Sequence, residues 1–525
     1  MPLPSDELTA LTDAALSAAT AGACTNAELR VERIRSQRVR LRDGAPEGVS
    51  DDTEFGMGVR VVVDGAVGFA ATVDVSPTEA ANLVRSAMDT ARVTAQAGGG
   101  RVELAPEPSH GEVTWTSAFG IDPGSVALSD KVALLEEWSR RLLSHATVAH
   151  VTAEVLSVGE ETYLANLAGT RATQHRVRVH PQIEALALSD AGFETMRTLA
   201  PPVGRGWEYL TGGTGGTGGT GGAGGAGGTG VWDWDGELAQ IPELLAEKLA
   251  APSVEAGVYD LVIDPSNLWL TIHESIGHAT ELDRAIGYEA AYAGTSFATF
   301  DKLGTLAYGS PALQVTGDRT VEHGLATVAI DSEGVAGQSF DLIRDGVLVG
   351  YQLDRFIAAR MGLGRSNGCA FADSPLHVPI QRMANVSLAP APGPRRGGGD
   401  SGDGDGDGPT TADLIAGVDR GIYIMGDKSW SIDMQRYNFQ FTGQRFFKIE
   451  DGRLVGQVKD VAYQATTTEF WGAMEAVGGA STYVLGGAFN CGKGQPGQVA
   501  PVSHGCPSAL VRRVRVLNAR EEAGR

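Results

Sequence analysis

The twenty residues from Thr211 to Gly230 read TGGTGGTGGTGGAGGAGGTG. Such a run has almost no side chain to bury and behaves as flexible coil. The run could therefore separate domains or be a surface insertion. At 525 residues the chain is also longer than one ordinary core requires. The expected division is an N-terminal domain over 1–252, which carries the run, and a C-terminal domain over 253–525. A second glycine-rich stretch, Gly393–Pro409, reads as a surface loop of the C-terminal domain. Its Asp403-x-Asp405-x-Asp407-Gly408 imitates the first half of an EF-hand loop. The twelfth position is Leu414, where a bidentate glutamate is needed, so a solvated loop is the reading.

Composition narrows the function. With 42% hydrophobic and 20% charged residues, the chain can bury a sizeable core. Its 42 basic and 64 acidic residues give a net charge of -22, a surface that repels phosphate backbones and anionic lipid. Nucleic acid is therefore not an expected partner. Four cysteines do not make a disulfide framework and fit a reducing cytoplasm. The N-terminus lacks the basic and apolar regions of a signal peptide, and no apolar stretch is long enough to span a membrane.

The first half alternates helix and strand signals. Glu7–Ala19 is an amphipathic helix, and Asp64-Gly65 joins a hairpin over Val59–Val73. Ser76, Pro77 and Glu79 mark a helix start with a capping box. Another helix is expected over Asp130–Ser144, with strands at Val151–Val158, Thr162–Leu167 and Arg176–Val179. After the glycine run, Leu238–Ala250 is a helix and Val258–Ile263 an apolar strand that leads into another helix. Beyond Gly304 the signals are short strands and turns, with hairpins at Asp345-Gly346 and Asp451-Gly452. The fold class is α+β: an α+β N-terminal domain, then a β-rich C-terminal domain. The hairpin aromatics and the Trp430-Ser431 region read as packing.

The helix after Val258–Ile263 contains His273-Glu274-Ser275-Ile276-Gly277-His278, an HExxxH pattern. Asp264 caps it and Pro265 takes its first position. Histidines four apart stand about 40° apart around a helix and share one metal. Five apart they stand about 140° apart, so two ligands at this spacing require a distortion such as a π-bulge. Gly277 makes such a distortion cheap. The bland alternative is two packed histidines beside a solvated glutamate. A catalytic zinc needs a third protein ligand. Spacing leaves Glu281, Asp283, Cys491 and the His504-Gly505-Cys506 patch open. Lys493 near Cys491 would favour its thiolate. Cys24 and Cys369 lack ligand neighbours and read as incidental thiols. Glu281, three residues beyond His278, is placed to orient that histidine.

The blocks HESIGHATELD, GDKSWSIDMQRYNFQF, FFKIEDGRLVGQVKDV and FNCGKGQPGQ, in that order, resemble the TldD branch of the TldD/PmbA family. RGWEYL at Arg205–Leu210 matches more loosely. The resemblance implies a zinc metallopeptidase acting on peptides or unfolded polypeptide, in peptide maturation or degradation. It implies that His273, His278 and Cys491 hold Zn2+ and that Glu274 is the catalytic base. It also implies a dimer, expected as a heterodimer with a metal-free TldE/PmbA-type paralogue, and an extended substrate paired as an added strand. The N-terminal domain is then expected to serve dimerisation and substrate admission. Rival readings are a zinc amidohydrolase with a non-peptide substrate and a non-catalytic peptide-binding subunit. The two glycine-rich runs are not features of the resemblance.

Overall fold

Three Asp-Gly pairs fix three hairpins as expected. Asp64 and Gly65 have φ of 54° and 75°, Asp345 and Gly346 of 50° and 74°, and Asp451 and Gly452 of 47° and 73°. Positive φ at both central residues is the turn whose twist suits paired strands. The computed structural model describes residues 4–98, 101–190, 192–212, 232–393 and 407–524. Most of the Thr211–Gly230 run, with Asp403 and Asp405 of the EF-hand-like loop, lies outside them.

The N-terminal part opens with α1 (Ser5–Ala21), β1 (Asn26–Arg42), β2 (Ala45–Val63), β3 (Ala66–Thr72) and α2 (Pro77–Gln96). It continues through β4 (Glu112–Thr116), α3 (Leu128–Leu143), β5 (His150–Asn166), β6 (Arg171–Ser189) and β7 (Gly192–Arg197). The short α4 (Glu208–Thr211) and α5 (Trp234–Ala250) follow. One seven-stranded sheet results, in the order β3-β2-β1-β5-β6-β4, with β7 also on β6. Ser76 caps α2 by accepting from the Glu79 N–H, a contact worth about 1 kcal/mol. The reciprocal half of the capping box is not made, because the Glu79 carboxylate accepts from Asn82 instead.

Two differences from expectation have one cause. β1 and most of β2 lie outside the expected strands, and β5 is one strand where two were expected. At the two ends of β1 the odd positions are apolar: Leu29 and Val31 pack with α1 and α2, and Val39 and Leu41 with α3 and α5. The even positions Glu28, Arg30 and Glu32 are charged yet buried. They face the opposite side of the sheet, as strand alternation requires. There Glu28 meets Arg60 and Arg355, Arg60 also meets Glu333, and Arg30 donates to the His377 carbonyl. The face that reads as solvent-exposed is thus a polar seam against the C-terminal half.

In that half β8 (Gly257–Ile263) lies between Arg420–Ile432 and Ala509–Asn518. Pairing continues through Val461–Thr466 to Asn438–Glu450, which pairs back onto Arg420–Ile432 and closes a ring of five strands. Closure leaves these strands no free edge. Leu261, Ile263, Ile424, Phe441, Tyr463 and Trp471 fill the associated core. Beyond Asp427 the Arg420–Ile432 strand shifts register, and Trp430 stands 52% exposed rather than packed. No helix of the described residues is long and apolar enough to cross a membrane.

Candidate metal centre

Helix α6 (Pro265–Ile272) leaves the end of β8 with Asp264 as its cap, accepting from the Ser266 N–H. Asn267 ties α6 to the ring by donating to the carbonyls of Gly426 and Thr442, while Tyr463 donates to the Asn267 oxygen. His273–Gly277 then forms a π-turn, closed by the His278 N–H on the His273 carbonyl. One 3-10 turn, His278–Thr280, ends the helix. The wide turn overcomes the five-residue spacing: the His273 and His278 rings have centroids 4.7 Å apart. Gly277 has ordinary helical φ and ψ of -52° and -61°, so backbone freedom is not its contribution. A methyl group there would come within 2.6 Å of the Met383 sulfur, and the glycine makes room for that contact.

The strand Val484–Lys493 brings Cys491 to the same place. One donor atom each from His273, His278 and Cys491 lie within 4.8 Å of one another, and all three residues are buried. This is the group of at least three such residues, among the described ones, that could hold a metal ion. Cys491 Sγ is 3.7 Å from His278 Nε2 and 3.3 Å from Arg382 Nη2. Burial raises the thiol's pKa, but His278 and Arg382 outweigh it, and the net direction is down. Lys493 is not that cation. Strand alternation points it inward with Cys491, but its ammonium goes to Glu281 at 3.1 Å, Asp283 at 2.8 Å and the Gln381 oxygen at 3.2 Å.

The surrounding hydrogen bonds fix both tautomers. His504 Nδ1 lies 3.0 Å from the Val386 carbonyl, which can only accept. The neutral His504 ring therefore accepts at Nε2, 2.7 Å from His273 Nδ1. His273 must carry its proton on Nδ1, leaving Nε2 with a bare lone pair. His278 Nδ1 donates to Glu281 at 2.8 Å, which bares its Nε2 in the same way. Burial pushes both imidazoles below the usual histidine range, in favour of the neutral form. Glu281 is held well below the usual carboxylate range: burial opposes its charge, but Lys493 and His278 outweigh that. Two neutral imidazoles and a thiolate are a donor set that suits Zn2+ and does not suit Mg2+ or Ca2+. Of the other candidates, Cys506 faces the Pro265 carbonyl, and burial raises its thiol well above its normal value. Asp283 is taken up by Lys493. Cys24 is half-buried, while Cys369 is buried and its thiol is pushed up to about 12 by burial.

Glu274 lies next to His273, with Oε2 2.6 Å from Arg436 Nη1. Arg436 sits in left-handed backbone, φ 62°, inside a turn held by Asp433. Asp433 accepts from the N–H groups of Gln435, Tyr437 and Asn438. A cavity of about 980 Å3 lined by Ile286, Phe297, Leu306, Gln435 and Tyr437 flanks this turn. Neither Arg436 nor Arg382 stands out in sequence. Each is more than 100 residues from the side chain it contacts, and only the YNFQF-containing block around Arg436 carries any signal.

The comparisons agree with this architecture. A model described as the PmbA/TldA metallopeptidase C-terminal domain matches residues 256–518, and one described as PmbA/TldA metallopeptidase domain 1 matches 27–91. A protein named metalloprotease from Methanothermobacter thermautotrophicus is 26% identical over 496 residues, covering 93% of this chain and 95% of its own. A metalloprotease TldD homolog from Haemophilus influenzae is 28% identical over 268 residues, 51% of this chain and 50% of its own. The crystal structure of TldE from Thermococcus kodakarensis shares the fold with a TM-score of 0.68 at 15% identity, over 97% of this chain and 99% of that one. With the C-terminal model alone spanning half its length, this chain belongs to the PmbA/TldD family of metallopeptidases.

Proposed function

We propose that the chain is a TldD-type zinc peptidase that hydrolyses peptides or unfolded polypeptide. His273, His278 and Cys491 hold the metal through Nε2, Nε2 and Sγ, and Glu274 is the base. The observation that carries the reading is the convergence of three buried donor residues, two of them histidines whose Nδ1 hydrogen bonds leave Nε2 unprotonated. Bound there, Zn2+ supplies Lewis acidity to a water and to the scissile carbonyl. Arg436 takes Oε2 of Glu274, so Oε1 accepts the water proton and later returns it to the leaving amine.

Residues 1–252 are read as a domain for dimerisation and substrate admission, and 253–525 as the metallopeptidase domain. The partner in this reading is a metal-free TldE/PmbA-type paralogue. Four free cysteines, three of them buried, suit a reducing cytoplasm. The test is hydrolysis of an unfolded protein by zinc-loaded wild type and Glu274→Gln. Turnover should fall about 10²–10⁴-fold with zinc content unchanged. Equal turnover in the two proteins would remove Glu274 from the mechanism. Zinc binding with no hydrolysis of peptides or unfolded chains would leave the amidohydrolase or the binding subunit.

A further inference from the structure

A second buried cluster lies apart from the metal centre, in the polar seam. A cavity of about 30 Å3 is walled by Arg30, Glu32, Glu160 and Arg176 from the N-terminal sheet and by Arg319 and Asp331 from the C-terminal half. The carboxylates are all committed. Glu32 pairs with Arg30 at 2.9 Å. Glu160 pairs with Arg176 and is shared with Arg178 just outside the wall. Asp331 accepts from three backbone N–H groups, those of Glu333, Val335 and Ala370. Gln174 is occupied by the backbone of Ala329 and Ile330.

Arg319 is left over. It is 2% exposed, and among the described residues its Nε has no hydrogen-bond partner. A guanidinium cannot shed its charge inside a protein. Left unpaired in a buried site it costs several kcal/mol. Arg30 and Arg176 are answered by Glu32 and Glu160, whereas Arg319 makes no ion pair with Asp331, whose carboxyl burial and the adjacent Glu333 push up to about 7. Burial and the adjacent Arg176 push Arg178 down to about 10, which shows the crowding of guanidiniums.

We propose that this cavity binds one small monovalent inorganic anion of the chloride class, held by Arg319 together with Arg176. Room for one or two water-sized bodies excludes nucleotides and sugar phosphates. One negative charge answers the unpaired Arg319 guanidinium. Because Arg176 and Arg319 come from opposite sides of the seam, the anion joins the two halves of the chain.

The test is 35Cl line broadening on the zinc-loaded protein, with sodium gluconate keeping ionic strength constant. Wild type should show excess broadening that saturates with chloride. Arg319→Met should weaken that binding about tenfold or more, and Arg319→Lys should retain part of it. Broadening that does not saturate overturns the proposal. Undiminished broadening in Arg319→Met places the halide elsewhere, at the metal centre for example, and also overturns it. If Arg319→Met fails to fold, the Cys491→Ser protein decides. Saturable broadening kept there supports the seam site, and its loss overturns it.

Discussion

Two of the places where the molecule buries charge treat it differently. In the seam Glu28, Arg60, Glu333 and Arg355 are one another's partners, so each charge is answered by another side chain of the same chain. In the metal centre His273 and His278 each commit Nδ1 to a neighbouring side chain, and their Nε2 atoms face the same space as the Cys491 sulfur. Mutually paired groups hold sheets together. Groups fixed at one end and bare at the other are prepared for something the chain does not contain. Burial is the same in both places, and the count of remaining lone pairs separates them.

The sharpest way to break that contrast is Cys491→Ser. Metal content by mass spectrometry should fall from about one per chain to near zero, because a neutral hydroxyl replaces a thiolate. Retained zinc would move the third donor to another residue. In the seam, Arg60→Met should leave metal content intact and cost about 3–5 kcal/mol in urea unfolding, since Glu28 and Glu333 lose their shared cation. A loss under 1 kcal/mol would mean the seam is wetter than its burial implies. Glu281→Gln removes the charged acceptor that sets the His278 tautomer, and zinc affinity should drop about 10–100-fold in chelator competition.

The smallest effect concerns His180, which stacks on Phe489 and which burial lowers to about 4. Its folded value lies below its unfolded value of 6.5, so its contribution is whole above 6.5 and is lost as pH falls toward 4. Between pH 7 and pH 5 stability should fall by roughly 2 kcal/mol from this residue. His180→Phe should flatten that part of the urea-midpoint profile, and an unchanged slope would assign it elsewhere.

The centre was more legible in sequence than the seam. The five-residue spacing of His273 and His278 required a wide turn, and the structure has one at His273–Gly277. Asp264, Ser76 and the Asp-Gly pairs act within a few residues, where sequence is most informative. The seam was hidden because the charged even positions at the start of β1 read as a solvated face, while Glu28, Arg30 and Glu32 are buried. Nothing local to Glu28 or Arg30 reveals that Arg355 or His377 will cover them. Lys493 was misjudged for a similar reason. Its sequence neighbour is Cys491, but its charge is drawn to Glu281, Asp283 and Glu289, over 200 residues away.

The wide turn has one more consequence, for how insertions and deletions are tolerated. It holds one residue more than a regular helical turn would use. Deleting Ile276 would return the histidines to four-residue spacing and could keep both rings on one side. The chain beyond would then arrive one residue short. Glu281 would lose its bridge to Gln352, and the Leu282 N–H its bond to the Gln352 carbonyl. The surplus residue therefore acts as slack: it lets ring placement be set upstream while the following chain still docks in register.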